Sequence, residues 1–267
     1  MASAQRRSNP GNPSAARSSV DAREVEKFAA LAGEWWDPAG KFAPLHKLNP
    51  VRLAFIRNIA LRHFDRDTQT LAPFSELTLL DVGCGGGLVS EAMARQGFAV
   101  LGVDAADENV AAAAAHARAM TAPPSYRCTA AEELVPEQAR FDVVLALEIL
   151  EHVVDRTEFL ATCAQLTKPG GLLVLATLNR TLKSLALAKI GAEYILRWLP
   201  AGTHDWNKFV SPETLSSELR SLGLATIETR GISFDPLGWN WQLSADTDIN
   251  YMIAAANKTR VLPKGRE

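Results

Sequence analysis

The stretch LLDVGCGGG, Leu79–Gly87, decides how this chain is read. An apolar run ends in Asp81 and Val82 and then breaks into a turn carrying Gly83, Gly85, Gly86 and Gly87. Glycine has no Cβ, so such a turn lets backbone amides approach a ligand closely. The residues that follow, Leu88–Gln96, carry a helical pattern, and a helix N-terminus favours negative or electron-rich groups. Strand, glycine turn and helix in this order open a βαβ unit.

The next strand, Phe98–Asp104, ends in an acid placed to accept hydrogen bonds from ribose hydroxyls. A dinucleotide fingerprint G-x-G-x-x-G would require glycine at position 88, which is Leu88. Asp81 followed by the tighter G-x-G-x-G instead suits S-adenosylmethionine, which has no pyrophosphate to cradle. A nicotinamide site and a purely structural turn are the competing readings.

Beyond Asp104 the pattern keeps alternating. Asp107–Met120 reads as an alanine-rich helix and Ser125–Thr129 as a short strand. Phe141–Leu147 is a strongly apolar strand, Glu158–Thr167 a helix ended by KPGG, and Gly171–Thr177 another buried strand. Near-continuous apolar strands alternating with helices predict an α/β fold, a parallel sheet with helices on both faces. After a helix at Pro212–Leu222, the runs Ala225–Phe234 and Asp248–Ala256 have no helix between them, which predicts an antiparallel closing hairpin.

Before the first strand, residues 21–64 read as a helical cap. DAREVEKFAALAGEWW has one apolar face, three prolines then interrupt the pattern, and a second helix is expected from Pro50 to about His63. Residues 1–20 contain arginine, serine and proline but no acid, and cannot bury a core. They read as a disordered bacterial-style tail, with an organellar transit peptide as the alternative. The core is expected over 65–267, with an insertion at about 179–210.

At 267 residues and 47% hydrophobic composition the chain is long enough for a full core. Lys+Arg 28 against Asp+Glu 30 leaves no basic excess, so nucleic acid is not an expected partner. The cysteines Cys84, Cys128 and Cys163 lie far apart without zinc spacing, which points to a reducing compartment.

The stretch LALEILEHVVD, Leu145–Asp155, places Glu148, Glu151 and His152 after the fourth strand. By residue type alone they could bind a metal, act as acid and base, or anchor a helix start.

Several further stretches are specific: EWWDPAGKFAPLHKLNPVR, TLNRTLKS, GAEYILRWLPAGTHDWNKFVSPETL and DINYM. With the glycine loop they resemble the ubiquinone biosynthesis O-methyltransferases, within the class I methyltransferase fold, from about Val25 to Asn257. The resemblance implies S-adenosylmethionine as cofactor, contacted by Arg52, Gly83, Gly85, Asp104 and Leu147. Arg52 would form a bidentate pair with the cofactor's carboxylate. It implies polyprenylated phenol and quinol substrates, and other proteins of the same pathway as partners. Eukaryotic relatives are thought to hold magnesium on the residues matching Glu148, Glu151 and His152, so Mg2+ is a second expected ligand.

Methylation of a phenol also requires a proton acceptor, for which Glu148, His152 and His204 are the leading candidates, with Glu151 and Asp205 as others. A polyprenyl tail stays in the bilayer, so peripheral contact with an anionic membrane is expected. The apolar, basic run TLKSLALAKIGAEYILRWLP would make it. The expected location is cytoplasmic, peripheral to the bacterial inner membrane, or the mitochondrial matrix side if the tail is a transit peptide. The rival functions are methylation of another small phenol and a non-catalytic subunit that binds cofactor or lipid.

Overall fold

FDVVLAL is apolar at almost every position because both of its faces are covered. Val143, Val144, Leu145 and Ala146 are all inaccessible to solvent. In the computed structural model, which describes residues 19–181, 183–184, 208–235 and 240–258, this segment is the fourth of eight strands. They are β1 Thr78–Val82, β2 Ala99–Asp104, β3 Ser125–Cys128, β4 Phe141–Leu147, β5 Thr167–Leu178, β6 Leu224–Asp235, β7 Asn240–Ser244 and β8 Asn250–Asn257.

One sheet holds them all, in the order β3-β2-β1-β4-β5-β8-β6-β7. The first five pair in parallel, whereas β8 lies antiparallel to β5 and β6, and β7 antiparallel to β6. The expected antiparallel pairing at the C-terminal end is therefore present. It carries the additional edge strand β7, whose sequence NWQLS is too short and polar to stand out as a strand.

Each face of the sheet carries its own core. On one face Leu79, Leu145, Val174 and Met252 pack with Phe55, Ile56 and Ile59 of helix α2 (Ala43–His63) and Met93 of α3 (Leu88–Ala94). On the other, Leu80, Val144, Leu173 and Ile253 pack with Phe159, Leu160 and Cys163 of α5 (Arg156–Leu166) and with Leu215 and Leu219 of α6 (Pro212–Ser221). Helix α4 (Asp107–Ala117) connects β2 to β3, burying Ala113 and Ala117. Alternation along each strand sends neighbouring residues to opposite cores, which is why the strands read as continuous apolar runs.

Among the boundaries that differ from the sequence expectation, two helix starts bear on the site. Helix α2 begins at Ala43 rather than Pro50, with Pro44 in its first turn and Pro50 inside it. Pro44 itself suits a first turn, and Pro50 removes one backbone hydrogen bond near that end without stopping a helix anchored by a long buried face. Helix α5 starts at Arg156, capped by the Asp155 side chain accepting from the Thr157 and Glu158 amides. Glu148, Glu151 and His152 consequently lie in a loop before the helix.

Ahead of the sheet, α1 (Ala22–Ala29) is tied back to that loop. Val20 bridges to Val153, the Val154 amide donates to the Ser19 carbonyl, and the Ser19 amide donates to Glu132.

Candidate active site

Strand order reverses between β1 and β4, so the connections after these strands diverge to opposite sides. The crevice outside the carboxyl ends at such a point is where open α/β sheets take ligands. Here it receives the glycine loop from β1, Asp104 from β2, and Leu147 and Glu148 from β4. All of them line one cavity of about 950 Å³.

Gly83, Gly85 and Gly87 have φ of 69°, 52° and 85°. The Gly83 and Cys84 amides both donate to the Val103 carbonyl, at 2.8 and 3.0 Å, which ties the loop to the end of β2. The Gly85 amide donates to Asp104 Oδ2 at 2.9 Å, while Asp104 Oδ1 accepts from the Ala106 amide (2.9 Å) and Asn109 Nδ2 (3.1 Å).

Trp35 lies against the loop: a Cβ built on Gly85 or Gly86 would come within 2.4 or 2.3 Å of its side chain. Its Nε1 donates to Asn109 Oδ1 at 2.8 Å. Trp36 Nε1 donates to the Gly86 carbonyl at 2.9 Å, and its ring stacks on His116 at 3.4 Å.

Asp81 sits under the loop, buried, accepting a 2.6 Å hydrogen bond from Ser90 Oγ. Burial pushes its carboxyl from the ordinary 3.8 up to about 6. The folded form therefore holds the proton longer than the unfolded chain. The cost of burying the charge is absent below about pH 4 and complete above pH 6. At about 1.4 kcal/mol per pKa unit that cost is roughly 3 kcal/mol, and an amide that lacks a partner for its own N–H groups returns about 1–2 of it. Asp81→Asn is thus expected to stabilise the protein by about 1–2 kcal/mol at pH 8 and not at pH 4.5, read from urea unfolding. An equal effect at both pH values would show that ionisation is not the cause.

At the end of β4, Glu148 adopts φ 54°, a left-handed conformation uncommon outside glycine and frequent at functional sites. The turn sends its carboxylate to Arg52, whose Nη2 donates to Glu148 Oε1 at 2.5 Å. Arg52 is 4% exposed, and its buried Nε–H has no hydrogen-bond partner among the described residues. Glu151 points away, into the interior, with Oε1 accepting from Thr177 Oγ1 (2.7 Å) and the Leu178 amide (3.0 Å). Burial, reinforced by the neighbouring Glu148 charge, pushes its carboxyl upward.

His152 Nδ1 meets Glu24 Oε2 of α1 at 2.8 Å, with Phe28 packed edge-on against the ring. That hydrogen bond is the main reason the Glu24 carboxyl lies at about 2. The stabilising contribution of the clasp is complete above the ordinary value of 4.5 and is lost as pH falls through about 2.

The three expected magnesium ligands thus face three different partners. Among the described residues, no group of three His, Cys, Asp or Glu side chains is arranged to hold a metal ion. Spacing i, i+3, i+4 gathers side chains only on a helix, and these residues occupy a loop that begins in a left-handed turn. As placed, they do not fit a magnesium site.

His204 lies outside the described residues. Arg52, Gly83, Gly85, Asp104 and Leu147 do meet on the one cavity. Sequence reasoning missed Asn109, Trp35's seat on the glycines and the Glu24–His152 clasp. A lone asparagine near the start of an alanine-rich helix carries no signal of its contacts.

The cavity suits S-adenosylmethionine by its own features: a glycine cradle, a carboxylate at the end of β2, and a buried guanidinium with an unmet donor. Solved structures agree in fold. The magnesium protoporphyrin IX methyltransferase of Synechocystis with bound SAH matches at TM-score 0.59 and 18% identity, over 88% of this chain and 94% of that one. A SAM-dependent methyltransferase of Thermotoga maritima, described as a possible histamine N-methyltransferase, matches at TM-score 0.61 and 14% identity, over 88% and 99%.

A family model described as a methyltransferase domain matches residues 55–229. Fold and site together define a class I S-adenosylmethionine-dependent methyltransferase. Among full-length relatives, the ubiquinone biosynthesis O-methyltransferase of Caulobacter vibrioides is 57% identical over 88% of this chain and 94% of its own. That of Parvibaculum lavamentivorans is 51% identical over 90% and 95%. The chain belongs to the ubiquinone biosynthesis O-methyltransferase family, and is an O-methyltransferase of that pathway.

Proposed function

We propose that the enzyme methylates ring hydroxyls of polyprenylated phenol and quinol intermediates, of the 2-polyprenyl-6-hydroxyphenol and 3-demethylubiquinol types. The observation that carries this reading is the single cavity. It joins the glycine loop, Asp104 and Arg52 to an apolar wall formed by Leu48, Ile232 and Trp241. A cofactor and an apolar aromatic ring fit side by side in such a space.

S-Adenosylmethionine supplies the methyl group, carried on a sulfonium. The chain's part is to orient it and the hydroxyl oxygen in line, which accounts for much of the rate. Arg52 would hold the cofactor's carboxylate and Asp104 its ribose, with Leu147 against the adenosine. A phenol of pKa about 10 costs roughly 4 kcal/mol to ionise at pH 7, so a proton acceptor must share that cost. Glu148 is the best placed, since its carboxylate is partly open on the cavity wall and oriented by Arg52. His152, fixed by Glu24 on the same cavity, is the second candidate, and His204 the third. No step is assigned to magnesium.

A tail that loses about 0.8 kcal/mol per CH2 on leaving the bilayer keeps the substrate in the membrane. No described helix is long and apolar enough to cross one. Peripheral contact through residues 182–199 meets that need. Of these, Lys183 and Ser184 are described and line the cavity, and Lys183 is paired with Asp246 and Asp248. The rest of the apolar segment lies outside the described residues. Relatives from bacteria favour the cytoplasmic face of the inner membrane as the location.

Methyl transfer to a short-chain prenylated catechol and to plain catechol, each with EDTA and with added magnesium, tests the proposal. Faster turnover of the prenylated substrate is expected, and equal turnover would favour a small-phenol enzyme. An EDTA loss that magnesium restores and Glu151→Gln weakens would require the acidic loop to rearrange.

A further inference from the structure

We propose that Asn109 and Trp35 are positioning residues for the Asp104 carboxylate, and that through them the N-terminal cap sets cofactor affinity. The inference rests on the reading that Asp104 holds the cofactor ribose.

Three side chains form the relay. Indole Nε1 of Trp35 can only donate, and the carboxylate of Asp104 can only accept. The Asn109 amide between them is therefore fixed in one orientation, Oδ1 towards Trp35 at 2.8 Å and Nδ2 towards Asp104 at 3.1 Å. Asn109 is 1% exposed, so water does not substitute for either bond.

Two carboxylate oxygens offer about four acceptor sites. Asp104 Oδ1 takes the Ala106 amide and Asn109, and Oδ2 takes the Gly85 amide. Bonds to both oxygens stop the carboxylate from rotating, and the remaining capacity falls on Oδ2. Without Asn109, Oδ1 regains a free site and the group can turn, so its preorganisation for a ribose hydroxyl is lost.

Trp35 is itself held on two sides. Its ring stacks on Phe42 at 3.8 Å and 4°, and lies on Gly85 and Gly86 where no Cβ has room. Phe42 directly precedes α2, which carries Arg52. The cap therefore reaches the cofactor at two points, Arg52 directly and Asp104 through the relay.

The test is calorimetric binding of S-adenosylhomocysteine and of its 2′,3′-dideoxyribose counterpart to the wild type, Asn109→Leu and Trp35→Phe. The wild type is expected to prefer the full ligand. Asn109→Leu should reduce that preference by about tenfold, the scale of one charge-assisted hydrogen bond, while barely changing affinity for the dideoxy ligand. Trp35→Phe keeps an aromatic ring but removes the N–H together with part of the indole, and should reduce the preference about threefold.

Equal loss of both ligands in Asn109→Leu would mean that the residue only supports the fold, overturning the proposal. An unchanged preference in Trp35→Phe would overturn the role of the cap. A wild type that does not distinguish the ligands would instead refute the ribose role of Asp104 and remove the basis of the relay.

Discussion

Arg52→Ala is expected to weaken S-adenosylmethionine binding by about a hundredfold or more, while 5′-methylthioadenosine, which lacks the amino-acid tail, binds nearly as before. Arg52 is 4% exposed and carries a buried Nε–H without a partner among the described residues. A buried donor left unmatched is costly, and a ligand carboxylate removes that cost on arrival. Two charge-assisted hydrogen bonds in such a place are worth about 3 kcal/mol or more.

Arg52→Lys should recover only part of the loss, because an ammonium is a point charge without the planar fork. The effect on folding should be small, about 1 kcal/mol, since the stranded Glu148 side chain is 31% exposed and can be hydrated. Titration calorimetry with the two ligands decides the matter. Equal losses for both would mean that Arg52 shapes the pocket rather than holding the carboxylate.

That prediction joins a residue read by resemblance to a geometry the sequence did not reveal. Arg52 in isolation is one basic residue on a helix. In the fold it is buried on α2, a helix that starts seven residues before Pro50 and packs Phe55, Ile56 and Ile59 on one face of the sheet. The parallel strands were legible because burial on both faces leaves apolar runs such as Val143–Ala146. The glycine loop was legible because only glycine tolerates both its φ values and its close contacts.

What failed to read through were contacts that depend on several distant segments at once. Asn109 meets Trp35 across 74 positions of chain, and His152 meets Glu24 across 128. Local pattern carries no information at that range. Glu148, Glu151 and His152 show the opposite failure: a spacing that suggests one helical face was met by a loop. Glu148's left-handed turn sends its carboxylate to Arg52, while the other two find separate partners.

Gly85→Ala is expected to cost about 2–4 kcal/mol of stability and to reduce cofactor affinity by at least a hundredfold. Two effects combine. At φ 52° an L side chain is strained by about 1–2 kcal/mol. Its Cβ would also lie 2.4 Å from the Trp35 ring. That ring cannot retreat cheaply, because Asn109 holds its nitrogen and Phe42 its face.

Either the loop shifts, carrying the Gly85 amide off Asp104, or Trp35 leaves and breaks the relay. Both outcomes disorder the Asp104 carboxylate, and with it the cofactor site proposed above. The two contributions separate in a double-mutant cycle. Trp35→Ala alone should destabilise by removing a packed aromatic, yet Gly85→Ala on that background should cost only the backbone strain, so the pair should fall short of additivity by about 1–2 kcal/mol. Urea unfolding of the four proteins measures it. Strict additivity would mean that the alanine methyl never meets the tryptophan, and that the loop has room the geometry denies it.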